Sequence, residues 1–135
     1  MLTVTAQINA PISHVWKLWT SPSDIMQWNF AHESWHCPSA TNDLTVGGEF
    51  HYQMAAKDGS FAFDFWGTYD AIENEKSIEI TIGDNRKMKV EFTTTDKGTL
   101  VTEHFDPEKV NPIEMQEQGW QSILNQFKHY AESKL

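Results

Sequence analysis

One cysteine in 135 residues, Cys37, leaves the chain without an internal disulfide and fits a reducing compartment. Positive charge is scarce as well. Ten Lys and Arg stand against nineteen Asp and Glu, a net charge of −9. Nucleic-acid phosphates and anionic membrane surfaces would be repelled. No apolar run approaches the length of a bilayer span or a signal-peptide core. No linker, repeat or low-complexity tract divides the sequence. These absences lead to the expectation of one soluble, cytoplasmic domain over residues 1–135, with no nucleic-acid partner and no membrane insertion.

What is plentiful is aromatic. Phe, Trp and Tyr make up 13% of the residues, with six Trp and eight Phe. Such a supply fits either a core of large side chains or an aromatic-walled cavity.

The order of elements follows from periodicity. Leu2, Val4, Ala6 and Ile8 alternate with polar residues, the pattern of a half-buried strand. Asn9-Ala10-Pro11 starts a short helix with Ile12, Val15, Trp16 and Trp19 on its apolar side. After Ser21-Pro22, Ser23 or Asp24 is expected to cap a second short helix carrying Ile25, Met26 and Trp28. Trp35, Cys37 and Ala40 hint at a strand, and Gly47-Gly48 is a turn or bulge before the next one. Asp58-Gly59 is a hairpin signal. Placed at the turn, it sets Met54 opposite Phe63, Tyr52 opposite Phe65 and Phe50 opposite Gly67. The glycine leaves a gap facing Phe50, either to relieve crowding or to leave room for something else. Ile78, Ile80 and Ile82 form a further alternating strand, and Met88, Val90 and Phe92 another. In the last strand Thr99, Val101, Glu103 and Phe105 share one parity.

The tail returns to a helical period. Ile113, Trp120, Ile123, Leu124, Phe127, Tyr130 and Ala131 form one stripe, with Gln116 among the polar residues of the other face. Asn111 is the expected cap, with Pro112 in the first turn and Glu114 complementing the dipole. A run of strands with helices at both ends reads as α+β with an antiparallel sheet, its apolar face covered by the terminal helix.

Ile8-Asn9-Ala10-Pro11, Val15-Trp16, Pro22 and Trp28 resemble the amino-terminal signature of the SRPBCC superfamily. Gly47-Gly48-Glu49-Phe50, Gly67-Thr68-Tyr69, Gly119-Trp120 and Leu124 extend the resemblance over essentially the whole chain. Within the superfamily the chain is most similar to the branch named for the activator of the heat-shock-protein-90 ATPase. The resemblance implies a helix-grip fold, also seen in the birch pollen allergen and START lipid-transfer domains. In that fold a curved antiparallel sheet of about six to seven strands wraps a long C-terminal helix, with two short helices after the first strand. It further implies a hydrophobic cavity between sheet and helix, gated by the two short helices. Family members bind lipids, steroids, polyketides or plant hormones, and a few are cyclases or other enzymes. The branch name implies a stress-response setting.

The expected ligand-binding cavity residues are Trp28, Trp35, Phe50, Tyr52, Phe63, Phe65 and Tyr69 on one side. Ile80, Val90 and Glu103 from the later strands, and Trp120, Leu124 and Phe127 from the tail helix, complete the set. Trp120, Leu124 and Phe127 are the helix residues expected to face the open volume. The competing reading of the same aromatics is a filled core, the norm for protein interiors. Glu103 has two readings. Inside, its carboxyl would titrate high and could hydrogen-bond a ligand hydroxyl or act as an acid. The favoured alternative is a strand bulge or a place at the cavity mouth in water, because unpaired buried carboxylates are rare.

His32, His36 and Cys37 lack the partners and spacing of a metal centre. Cys37 has no cationic context to make it a nucleophile, and Ser60 belongs to no nucleophile elbow. His51 and His104 belong on wet strand faces. No catalytic residue, metal or cofactor is therefore expected. The leading reading is a non-catalytic protein, monomeric or weakly homodimeric, that holds a small hydrophobic molecule such as a lipid, steroid, polyketide or aromatic metabolite. The second is a cyclase- or hydrolase-type enzyme using the same cavity, and the third a co-chaperone-type interaction module.

Overall fold

The computed structural model describes residues 1–135. The chain runs β1 (Leu2–Ile8), α1 (Ile12–Thr20), α2 (Pro22–Trp28), β2 (Trp35–Asn42), β3 (Glu49–Ala56), β4 (Ala62–Glu73), β5 (Ser77–Ile82), β6 (Lys87–Thr95), β7 (Gly98–Phe105) and α3 (Ile113–Ser133). The seven strands form one curled antiparallel sheet in the order β1-β7-β6-β5-β4-β3-β2. This is the α+β helix-grip architecture. β2 to β6 each pair with the next strand in sequence, whereas β1 crosses over to pair with β7. No helix is long and apolar enough to cross a membrane.

The period-2 pattern fixes which face each strand buries. Val4, Ala6 and Ile8 of β1 are buried, as are Ile78, Ile80 and Ile82 of β5 and Met88, Val90 and Phe92 of β6. In the β3–β4 hairpin Met54 pairs with Phe63, Tyr52 with Phe65 and Phe50 with Gly67, the register that Asp58-Gly59 predicts. The gap at Gly67 is occupied. A Cβ there would lie 2.9 Å from Ile80 Cγ2, 2.9 Å from the Thr81 carbonyl oxygen and 3.0 Å from the Phe50 ring. The glycine relieves crowding and leaves no room for a ligand.

Both sheet edges are protected. Along β1, the outward carbonyls of Thr5 and Gln7 accept hydrogen bonds from the side chains of Gln121 (3.0 Å) and Lys128 on α3. The edge strand β2 is broken by an irregularity between His36 and Ser39, around Pro38, and packs against α2.

The helix ends differ from the sequence expectation. Pro112 itself is the α3 N-cap and no side chain caps that end. Asn111 instead ties back to Glu108, whose Oε1 accepts its N–H at 2.7 Å. The second helix starts earlier than expected, with Ser21 at the cap and Pro22 at its first turn, where the missing N–H is no loss. Gln116 is buried rather than on the wet face. Its Nε2 donates to the carbonyls of Glu108 (3.0 Å) and Asn111 (2.8 Å), and its Oε1 accepts from the Glu108 N–H (2.8 Å). A polar side chain is stable there because its hydrogen bonds are made.

Helix α3, about 32 Å long at 1.5 Å per residue, is held unequally along its length. Leu124, Phe127 and Ala131 sit in the core at 0% exposure. The Ala131 carbonyl meets His14 Nε2 at 2.9 Å, Glu132 Oε2 accepts the Asn9 N–H at 2.9 Å, and the Tyr130 hydroxyl donates to Asp24 Oδ1 at 2.5 Å. Toward its start, Ile113 and Met115 are exposed and Trp120 is half-buried. The first half therefore stands off the sheet, and the space beneath it is the site.

Candidate functional site

Between the concave sheet and the first half of α3 lies a cavity of about 420 Å³. That falls in the range of pockets that take drug-sized molecules, roughly 300–1,000 Å³. Phe50, Tyr52 and Met54 of β3 and Phe63, Phe65 and Tyr69 of β4 form one wall. Ile78, Ile80, Met88, Val90 and Glu103 continue it across β5, β6 and β7. Trp19 and Trp28 close one end, and Met115, Gly119, Trp120 and Ile123 of α3 roof it. Arg86, Glu108, Asn111 and Gln116 lie around the loop that leads into α3.

Aromatic contacts hold this shape. Trp120 stacks on Phe105 at 3.9 Å between centroids and meets Phe65 edge-on at 6.1 Å. The roof is thereby tied to both β7 and β4. Trp19 and Trp28 lie 4.9 Å apart, and each packs edge-on against Phe127 at 4.8 Å. Trp28 Nε1 donates to the Leu18 carbonyl at 3.1 Å, so its ring is also fixed from the helix side. Such pairs add to area burial because ring edges and faces carry opposite partial charge.

Polar groups also face this apolar space: Asn29, whose Nδ2 donates to Met54 Sδ at 3.6 Å, the phenols of Tyr69 and Tyr52, and Glu103. The Tyr69 hydroxyl donates to Asn42 Oδ1 at 2.5 Å, and Asn42 Nδ2 donates to the Thr20 carbonyl at 2.7 Å. Burial pushes the Tyr69 phenol up to about 12 and the Tyr52 phenol well above its ordinary value, so both remain protonated. Glu103 is the acidic one among them. It is 5% exposed, and its strand pairs without a bulge to β1 at Val4 and to β6 at Val90. Its carboxyl has neither a salt-bridge nor a hydrogen-bond partner in the protein, and desolvation alone raises it to about 8. No side-chain oxygen is sealed off without a partner, so its oxygens open onto the cavity. The bulge or mouth position favoured from sequence is not the one adopted.

Ten of the thirteen expected positions line the cavity: Trp28, Phe50, Tyr52, Phe63, Phe65, Tyr69, Ile80, Val90, Glu103 and Trp120. Trp35, Leu124 and Phe127 do not. Trp35 lies outside, against Phe61 and Phe63 at 6.0 and 6.2 Å. Phe127 sits behind Trp19 and Trp28, which screen it from the open volume. Leu124 lies on the core-facing side of α3. The helix carries two stripes, not one. Gln116, Gly119, Trp120 and Ile123 face the cavity, and Leu124, Phe127 and Ala131 face the core. Met54, Ile78 and Met88 share strand parity with expected residues, so alternation could have found them. Trp19 and Arg86 carry no such signal.

The groups outside the cavity take simple roles. Cys37 is 2% exposed, and burial raises its thiol to about 11, which leaves it an inert thiol. His51 lies on the wet face between Asp64 Oδ2 (2.8 Å) and Glu49 Oε1 (3.0 Å), which raise its pKa. His104 pairs with Glu91 at 2.8 Å on the same face. No group of three or more His, Cys, Asp or Glu is placed to hold a metal ion.

A curled seven-stranded sheet, a long C-terminal helix and an apolar space between them define a helix-grip domain of the SRPBCC superfamily. Within it, the chain belongs to the family of Activator of Hsp90 ATPase homolog 1-like proteins, whose model matches residues 9–132. The solution structure of an AHSA1-like protein from Aeromonas hydrophila superposes with a TM-score of 0.92 at 40% identity, covering 98% of this chain and 92% of that one. A protein of known solution structure from Cytophaga hutchinsonii is 51% identical, with a TM-score of 0.84 and coverage of 98% and 92%. A crystal structure from Nitrosomonas europaea shares the fold at 20% identity, with a TM-score of 0.83 and coverage of 98% and 94%. No match is found among proteins of curated function.

Proposed function

We propose that this protein binds a small hydrophobic molecule in the cavity between the sheet and the first half of α3. One observation carries the reading: a 420 Å³ space walled by aromatic and aliphatic side chains, with one partnerless carboxyl opening into it. Apolar burial would supply most of the affinity, at roughly 25 cal/mol per Å² before the cost of ordering the ligand. Glu103 and the two phenols would orient it. An acid-catalysed reaction is the lesser reading, because general acid–base work needs a second polar group within reach of the first. The Glu103 carboxyl has no such neighbour among its hydrogen-bond partners.

The six tryptophans provide the test. Trp19, Trp28 and Trp120 line the cavity; Trp16, Trp35 and Trp66 do not. Titration of ¹⁵N-labelled protein with a panel of lipids and aromatic compounds should shift the indole N–H signals of the first three and leave the others in place. Shifts confined to Trp35 or Trp66 would move the site elsewhere, and no shift with any compound would remove the reading. Native mass spectrometry and organic extraction of freshly purified protein would then identify a retained molecule.

A further inference from the structure

The cavity has a sign of charge as well as a shape. Glu103 is the only ionisable side chain in its wall that is both fully enclosed and acidic. It stands on β7 between Val4 and Val90, one pleat from Phe105, on which the Trp120 ring is stacked. The other charged or titratable groups around the space are Tyr52, Tyr69, Glu108 and Arg86. The phenols are neutral, and the Tyr69 proton is already given to Asn42 Oδ1. Glu108 adds a second carboxylate. Arg86 is the one cation, and it is already engaged: its Nε donates to Asp84 Oδ2 at 2.7 Å and its Nη1 to the Asp106 carbonyl at 3.2 Å. Its charge is offset by Asp84, and the wall's carboxyl groups outnumber it. The net charge of −9 adds a field of the same sign.

An isolated carboxylate in an apolar site is poorly solvated, and a hydrogen-bonded cation is the partner that compensates it best. Aromatic faces attract cations as well, and Trp19, Trp28, Phe65 and Trp120 surround the space. From this geometry we infer that the ligand is a hydrophobic amine, its ammonium donating to the Glu103 carboxylate and its apolar body lying among the aromatic rings; fatty acids and other organic anions are excluded.

The inference rests on the cavity-binding reading above, and the experiment separates the two. Naphthylmethylamine, naphthylmethanol and naphthoate share one apolar body and differ in charge. Near pH 8.5 the amine should bind at least about tenfold more tightly than the alcohol, a difference of about 1.4 kcal/mol, and naphthoate not measurably. Near pH 6 the preference for the amine should shrink, because Glu103 is then protonated and must lose its proton to form the pair. Calorimetry near pH 7 in two buffers of different ionisation enthalpy should show close to one proton released for each amine bound. Glu103→Gln should erase both the preference and the proton release while the alcohol still binds. Equal affinity for amine and alcohol at both pH values, or tight binding of naphthoate, would overturn the inference and leave the cavity reading intact. If none of the three binds, both readings fall.

Discussion

Glu103 is held against its own solvation, and the consequence is measurable without any ligand. Its carboxyl titrates near 4.5 in the unfolded chain and at about 8 in the fold. Between those values the folded protein keeps a proton that the unfolded chain has released. Stability from the neutral acid is therefore complete below about pH 4.5 and is lost as pH rises through about 8. At about 1.4 kcal/mol for each pH unit between the two values, the ceiling on that loss is roughly 5 kcal/mol. Glu103→Gln keeps the shape and cannot ionise. Its denaturation midpoint should match the parent's at about pH 4.5 and exceed it at about pH 9. A gap between parent and variant that does not change with pH would show that the carboxyl is solvated in the fold.

At the scale of elements, α3 separates binding from folding. Gly119 lies in the helix interior, and a Cβ there would meet nothing within 4 Å. Gly119→Ala should strengthen the helix by roughly 0.5–1 kcal/mol while taking volume from the cavity, so the melting temperature should rise and ligand affinity fall. Leu124→Ala acts on the other stripe. It should cost roughly 2–5 kcal/mol of stability through the void it leaves, with affinity little changed in the protein that remains folded. Opposite outcomes, a weakened fold from Gly119→Ala or a selective loss of affinity from Leu124→Ala, would count against two stripes. Their division also marks how far the sequence could be read. Strand parity placed Phe50, Tyr52, Phe65 and Ile80 on the inner face because a period of two leaves no choice of side, whereas for Glu103 the rarity of unpaired buried carboxylates argued against its parity. A helix wheel offers a broad arc instead. Trp120 and Leu124 are one turn apart, yet one faces open space and the other the core, a difference set by how far the helix stands off the sheet. Gln116 was illegible for a similar reason: its burial depends on the loop carbonyls of Glu108 and Asn111, which only the folded chain brings to it.

Across the whole molecule, stability should be graded toward the cavity. Gln121, Lys128, Tyr130 and Glu132 anchor the later part of α3, whereas the side-chain hydrogen bonds of Gln116 reach only the preceding loop. In hydrogen exchange without ligand, amides of residues 117–120 should therefore exchange faster than those of residues 124–131. Uniform protection along the helix would mean that its two halves open together. A different timescale follows from the seam between β1 and β7. Ile8 lies opposite Thr99 and Leu2 opposite Phe105, so the partners stand 91 to 103 positions apart. On the ribosome β1 is made well before its only sheet neighbour, β7. At about 5–20 residues per second, the first strand waits on the order of 5–20 s for its partner. During that interval its alternating apolar face and free backbone edge are open to passing chains, and whatever shields a nascent chain has to act on this strand until β7 arrives.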